Sequence, residues 1–169
     1  MIALDTNILV YARRPESTHH EPARRLLARL AEGDEPWALP WPCVYEFLRV
    51  VTHPRVFDPP TPLDAALEDL ESLLDSPSLV LLGEGPVHAS HMRRTVAAGR
   101  AAGNLAHDAH IAALALEHGV RELWTTDGDL SRFPGLTLRN PFAGGAVHET
   151  RARYGSGADR KRRRRLAAR

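Results

Sequence analysis

The sequence has very little cysteine or lysine and no long apolar run. Its single cysteine, Cys43, has no partner for an internal disulfide, and its place on an apolar helix face predicts a small core residue rather than a nucleophile. The only lysine is Lys161, so a phosphate-binding loop that ends in Gly-Lys-Ser/Thr is excluded. No run of about 18 apolar residues and no secretory leader pattern occurs, and we therefore expect a cytoplasmic protein.

Charge is distributed unevenly along the 169 residues. Residues 1–147 hold 13 arginines against 19 acids, a net charge of −6, whereas residues 148–169 hold nine basic residues against two acids, a net charge of +7. The apolar periodicity also stops near Gly144-Gly145. We therefore expect one folded domain over residues 1–147, followed by a basic, disordered tail over residues 148–169.

Within the body, apolar residues alternate between strand-like and helix-like spacing. Strands are predicted at 2–5, 37–39, 79–82, 122–126 and 136–139, and helices at 7–12, 21–31, 43–51, 63–74, 86–98 and 105–118. Asn104 is expected to cap the last helix, and Gly119 to end it. This alternation favours an α/β fold, in which a parallel sheet is covered on both faces.

Four acids stand where the apolar pattern predicts burial. Asp5 and Asp127 end two predicted strands, whereas Glu46 and Asp108 interrupt the apolar stripes of two helices. In open parallel sheets, ligands collect beyond the carboxyl ends of the strands, and inward-facing helix residues can reach the same crevice. We therefore expect the four carboxylates to converge. Asp129 follows Asp127 across a glycine and is a fifth candidate.

Converging carboxylates need a cation, because an unpaired buried carboxylate costs several kcal/mol or takes up a proton. An all-oxygen site without cysteine or clustered histidine selects hard ions such as Mg²⁺ or Mn²⁺ and disfavours zinc. An ion held by carboxylates and waters leaves room for phosphate oxygens, activates water and stabilises charge on phosphorus. The pattern thus predicts hydrolysis of a phosphodiester.

Several polar residues near this set also have a structural interpretation. Asp5 or Asp108 alone is typical of a helix cap, and Asp129 in Asp-Gly-Asp is typical of a turn. Asn7 either caps the first helix or orients a metal-bound water. Taken together, however, the four acids favour a site. The histidines beside Asp108 are expected to be surface or packing residues: His107 and His110.

The motifs resemble those of PIN-domain ribonucleases, and more narrowly the VapC toxins of bacterial toxin–antitoxin pairs. The resemblance covers residues 1 to about 142 and rests on Asp5-Thr6-Asn7, a helical glutamate, NLAHDAHIAA from Asn104, TTDGD from Thr125, and a closing Asn140-Pro141. It implies a three-layer α/β/α sandwich with a central parallel sheet, Mg²⁺- or Mn²⁺-dependent RNA cleavage, homodimerisation and a cognate VapB-like antitoxin. The family's acids fall on these positions: Asp5, Glu46, Asp108 and Asp127 as metal ligands and catalytic residues, and Asp129 as an accessory catalytic acid.

Other functions fit less well. Haloacid-dehalogenase phosphatases and phosphoacceptor receiver domains also place acids at strand ends. Both families rely on a buried lysine, whereas the single lysine of this chain lies in the predicted tail, and the phosphatase pattern requires Asp where Asn7 stands. A non-catalytic RNA-binding protein that acts through its basic tail is a further alternative. So is a housekeeping RNA-processing nuclease, which an adjacent antitoxin gene would distinguish from a toxin.

Overall fold

The computed structural model describes residues 1–143, and the predicted basic tail at residues 148–169 lies outside them. A parallel five-stranded sheet runs through the centre in the order β3-β2-β1-β4-β5. Six helices cover it, so that the fold is the expected three-layer α/β/α sandwich. The strands are β1 Ile2–Leu4, β2 Trp37–Pro40, β3 Leu79–Leu82, β4 Glu122–Trp124 and β5 Leu138–Arg139.

Two helices follow each of the first three strands, as the apolar spacing predicts. They are α1 Thr6–Arg13, α2 His20–Glu32, α3 Trp41–Val51, α4 Leu63–Leu74, α5 His88–Gly99 and α6 Leu105–Glu117. None of the helices in the described part of the chain is long and apolar enough to cross a bilayer. Cys43 is fully buried in α3, as expected for a core residue.

The two central strands bring the first and last thirds of the chain together. In the register of β1 with β4, Leu4 lies beside Trp124. The next residues, Asp5 and Thr125, therefore emerge side by side at the carboxyl edge of the sheet, and both are buried. This edge is where the predicted acids gather.

Several local predictions were wrong. Asn104 has helical backbone angles and makes no capping hydrogen bond, so the last helix begins without the predicted cap. The strand predicted over 122–126 ends at Trp124. A tight contact lies at the end of α5, where the Phe133 ring packs in the place that a Gly99 side chain would occupy. Any larger residue at 99 would displace that buried ring.

Candidate functional site

Asp5 is the most deeply buried acid of the site, with 6% of its surface exposed. Its backbone N–H donates to the carbonyl of Trp124 at 3.0 Å, which fixes the residue at the end of β1. Its Oδ1 accepts the N–H of Thr6 at 2.7 Å and so caps α1. The cap interpretation is thus correct for Asp5, but it uses only one of the two carboxylate oxygens.

The second oxygen of Asp5 is held by two side chains. Oδ2 accepts hydrogen bonds from Thr125 Oγ1 at 2.6 Å and from Asn7 Nδ2 at 2.7 Å. Asn7 Nδ2 also donates to Thr125 Oγ1 at 2.9 Å. Asn7 therefore orients Asp5 rather than capping the helix itself.

Glu46 lies on α3 and is held by three neighbours. It accepts hydrogen bonds from Thr6 Oγ1 at 2.9 Å and from Arg49 at 2.8 Å, and His107 Nε2 lies 2.8 Å from its Oε2. Burial alone would raise its pKa, but the contact with His107 and the hydrogen bonds from Arg49 and Thr6 outweigh it and lower the pKa to about 2. The contact with Glu46 in turn raises the pKa of His107. Glu46 is therefore ionised at neutral pH.

Asp5 and Asp108 show the opposite effect. Burial is the main cause that raises the pKa of Asp5 to about 6 and that of Asp108 to about 7. The charge of Asp127 raises both values further, as does that of Glu46, and Asp5 also raises the pKa of Asp108. The four predicted acids therefore lie close enough to repel one another, as the sequence suggested.

Asp127 and Asp129 are both exposed, which corrects the expectation that Asp127 would be buried at a strand end. Because β4 ends at Trp124, Asp127 lies in the turn beyond it. Its backbone N–H donates to Thr125 Oγ1 at 2.9 Å, and its Oδ1 accepts the N–H of Asp129 at 2.8 Å. Asp129 begins a short 3₁₀ helix, Asp129–Arg132, which agrees with the interpretation of Asp129 as a turn residue.

The oxygen-rich set fits a hard divalent cation that keeps part of its water shell. Within residues 1–143, a single set of three side chains has ligand atoms mutually within 4.8 Å, and it consists of Glu84, His88 and His110 rather than the four acids. The wider spacing of the acids is consistent with their mutual repulsion. Mg²⁺ typically binds one or two carboxylates directly and retains several waters, so it does not need a tighter cage.

Sequence reasoning missed the residues that support the acids. Thr6 and Thr125 stand inside the quoted motifs, and a hydroxyl beside an acid is the signal that could have identified them. It also missed the meeting of His88 and His110, whose ring centroids are 5.4 Å apart. They are 22 positions apart in the sequence, and no local spacing reveals such a pair.

A cavity of the described domain lies away from the acids. It has a volume of about 1070 Å³ and is lined by α1, α2, α4 and the proline-rich segment 58–62. None of the five predicted site acids lines it. The chemistry is therefore assigned to the carboxyl edge of the sheet, where the polar network lies.

Comparison with known protein families shows to which family the chain belongs. The family model described as the PIN domain matches residues 2–136. The chain belongs to the PIN-domain family. Two curated relatives come from Mycobacterium tuberculosis: Ribonuclease VapC48 is 34% identical over 140 residues, which are 83% of this chain and 97% of that protein. Ribonuclease VapC43 is 40% identical over 144 residues, which are 85% and 97% of the two chains.

Solved structures share the fold of this PIN domain. VapBC2 from Rickettsia felis, bound to a DNA fragment from its promoter, aligns with a TM-score of 0.61 at 22% identity over 83% of this chain and 98% of the other. M. tuberculosis VapC20, described as a toxin that cleaves the sarcin-ricin loop, aligns with a TM-score of 0.56 at 16% identity over 78% and 93%. At these identities the structural likeness concerns the fold alone.

Proposed function

We propose that this chain is a metal-dependent endoribonuclease and the toxin of a VapBC-type toxin–antitoxin pair. The observation that carries the proposal is the coupling of four acids at the carboxyl edge, where burial and like charges raise the pKa of Asp5 and Asp108. Such carboxylates favour a divalent cation. The 34% and 40% identities to proteins named VapC ribonucleases support RNA as the substrate.

The proposed metal ligands are Asp5, Glu46, Asp108 and Asp127, with Asp129 as an accessory catalytic acid, and the proposed ion is Mg²⁺ or Mn²⁺. When bound, the ion would lower the pKa of a water and neutralise charge on the scissile phosphate. We expect products with a 5′-phosphate and a 3′-hydroxyl. Products that end in a 2′,3′-cyclic phosphate would exclude this mechanism, because they require attack by the RNA's own 2′-hydroxyl.

The surrounding residues hold the acids in place. Asn7 and Thr125 fix Oδ2 of Asp5, so that this carboxylate has one orientation. Arg49 and His107 balance the charge of Glu46 and keep it ionised. The Thr125 hydroxyl also accepts the N–H of Asp127, and thus ties two of the acids to one side chain.

The proposed partners follow from the family. Solved relatives are described as VapBC complexes, one of them bound to promoter DNA. We propose that this chain is inhibited by a cognate VapB-like antitoxin and that it forms a homodimer. We further propose that residues 1–147 act as the nuclease domain, and that the segment 148–169, with its net charge of +7, adds affinity for RNA.

One experiment tests activity, target and partner together. The chain is expressed by induction alone and with its neighbouring gene, and RNA 5′ ends are mapped across the transcriptome. A toxin arrests growth, generates new ends at specific sites, and is silenced by the neighbouring gene. Cleavage that persists with the neighbour and leaves growth normal would favour a housekeeping nuclease, and the absence of new ends would contradict ribonuclease activity.

A further inference from the structure

A second group of potential metal ligands lies where the loop after β3 meets α5 and α6. Glu84 follows β3, His88 is the first residue of α5, and His110 lies in α6. One ligand atom from each lies within 4.8 Å of those of the other two. The set offers two imidazoles and one carboxylate, so its chemistry differs from that of the all-oxygen acid site.

We propose that Glu84, His88 and His110 bind a divalent transition-metal ion of the zinc type. Two histidines and one glutamate are a recurrent Zn²⁺ ligand set that leaves a fourth position to water. Glu84 Oε1 and His110 Nε2 lie 3.0 Å apart. Two ligands that bind one tetrahedral ion at about 2.1 Å are about 3.4 Å apart, so a separation a few tenths of an ångström larger would let both side chains bind the same ion.

The surroundings of His88 match those of a histidine that binds metal. Its Nδ1 contacts Glu117 Oε2 at 2.7 Å, which leaves Nε2 for an ion. The side chain of Glu117 is only 4% exposed, and its other oxygen accepts the N–H of Gly85 at 3.1 Å. A carboxylate on the second ring nitrogen fixes the tautomer and orientation of a histidine ligand and raises its basicity.

The site is also accessible from solvent. Glu84 and His110 line a cavity of about 470 Å³, together with Trp41, Tyr45 and His107. Glu84 has 62% of its side chain exposed, so it can adjust around an ion without displacing the core. The bound ion would join the β3–α5 loop to α6, the helix that also carries Asp108.

The test separates this site from the acid site. The test uses untagged, full-length protein with the substitutions Asp5→Asn and Asp108→Asn. This protein lacks two ligands of the proposed Mg²⁺ site and keeps all three proposed zinc ligands. Titration with Zn²⁺ by calorimetry should show one ion per chain, and Co²⁺ should give a visible absorption band as nitrogen ligands bind it. Excess Mg²⁺ should not displace the Zn²⁺, because Mg²⁺ prefers oxygen ligands.

Two substitutions in that background locate the ion. Glu84→Gln and His110→Gln should each weaken Zn²⁺ binding by about tenfold or more. Glu84 and His110 are not fully buried, and circular dichroism will verify that both variants fold. The matched control is His91→Gln, one turn after His88 on α5, which should bind Zn²⁺ like the parent protein.

Three results would overturn the proposal: the absence of Zn²⁺ binding, binding that both substitutions leave unchanged, or displacement of Zn²⁺ by Mg²⁺. None of these readouts requires ribonuclease activity. The zinc site and the proposed nuclease function can therefore fail independently.

Discussion

Thr125 donates a 2.6 Å hydrogen bond from its Oγ1 to Oδ2 of Asp5, a residue 120 positions earlier in the chain. The bond exists because β1 and β4 are parallel neighbours in a register that aligns Leu4 with Trp124. Thr125 itself is 4% exposed. The same hydroxyl accepts hydrogen bonds from Asn7 and from the backbone of Asp127. One buried hydroxyl thus sets the geometry of two of the acids.

Thr125→Val should reduce RNA cleavage by about tenfold to a hundredfold, the usual effect of removing a residue that orients a metal ligand. It should also lower the free energy of unfolding by about 1–3 kcal/mol, because buried polar atoms lose their partner. Thr125→Ser keeps the hydroxyl and is the control. Cleavage rates measured at a series of Mg²⁺ concentrations test this positioning role. If Thr125→Val only destabilised the fold, the dependence of cleavage on Mg²⁺ concentration would not change. Equal loss in both variants would contradict the positioning role.

Asp5→Asn and Asp108→Asn should each abolish detectable cleavage or reduce it by at least about a hundredfold, because each removes charge from the proposed metal site. Both variants should remain folded. Their metal-free stability should equal or exceed that of the parent protein, because the raised pKa values show that both carboxylates are unfavourable when ionised. Full activity of either pure variant at saturating Mg²⁺ would refute the shared site.

Asp127→Asn should impair cleavage more than Asp129→Asn. The charge of Asp127 acts on both Asp5 and Asp108, whereas Asp129 contacts Asp127 through its backbone N–H. That backbone bond survives in Asp129→Asn. Parallel cleavage assays of the two variants test the ranking, and equal losses would show that Asp129 is a full member of the site.

The metal-free protein should lose stability as pH rises from about 5 to 8. The pKa of Asp5 rises from 3.8 to about 6 and that of Asp108 to about 7, so the folded state holds protons that the unfolded chain releases. Their contribution is fully present below pH 3.8 and is lost as pH passes the folded-state values. His107, with a raised pKa, acts in the same direction. The lowered pKa of Glu46 affects stability only as pH falls below 4.5.

Urea unfolding in EDTA at pH 5 and pH 8 measures this loss. The free energy of unfolding should decline less between pH 5 and pH 8 in Asp108→Asn than in the parent protein. Mg²⁺ should raise the free energy of unfolding more at pH 8 than at pH 5, because the ion binds ionised carboxylates. If the unfolding midpoint in EDTA stays constant between the two pH values, the acids are not coupled as described.

Removal of the basic segment after Val147 should weaken RNA binding and reduce its salt dependence. Residues 148–169 carry a net charge of +7, whereas residues 1–147 carry −6, so the segment is the main source of counterion release on RNA binding. The cleavage site should not change, because site choice depends on the domain around the acids. Identical binding of both proteins across a salt titration would exclude the segment as an RNA contact.

Local pattern was enough to predict most elements of the fold. The 3.6-residue and two-residue periodicities reflect which side of an element is buried, so strands and helices of the body could be placed within a few residues. The inward positions of Glu46 and Asp108 could be predicted for the same reason, because a charged residue within an apolar stripe faces inward wherever that stripe does. Asp5 could be placed because it directly follows the first apolar strand. Asn104 shows the limit of this reasoning, since a suitable residue type does not ensure a capping geometry.

Only the tertiary structure decided which side chains meet. The pairing of β1 with β4 joins Asp5 to Thr125, and the packing of α5 on α6 joins His88 to His110. Such contacts depend on strand order, register and helix packing, which involve residues far apart in the chain. Because β4 ends at Trp124, Asp127 is exposed in a turn, although the apolar residues before it predicted a strand that continues to residue 126. The sequence alone determined the residue types available for chemistry, and long-range packing determined their partners, because local spacing carries no information about contacts between distant segments.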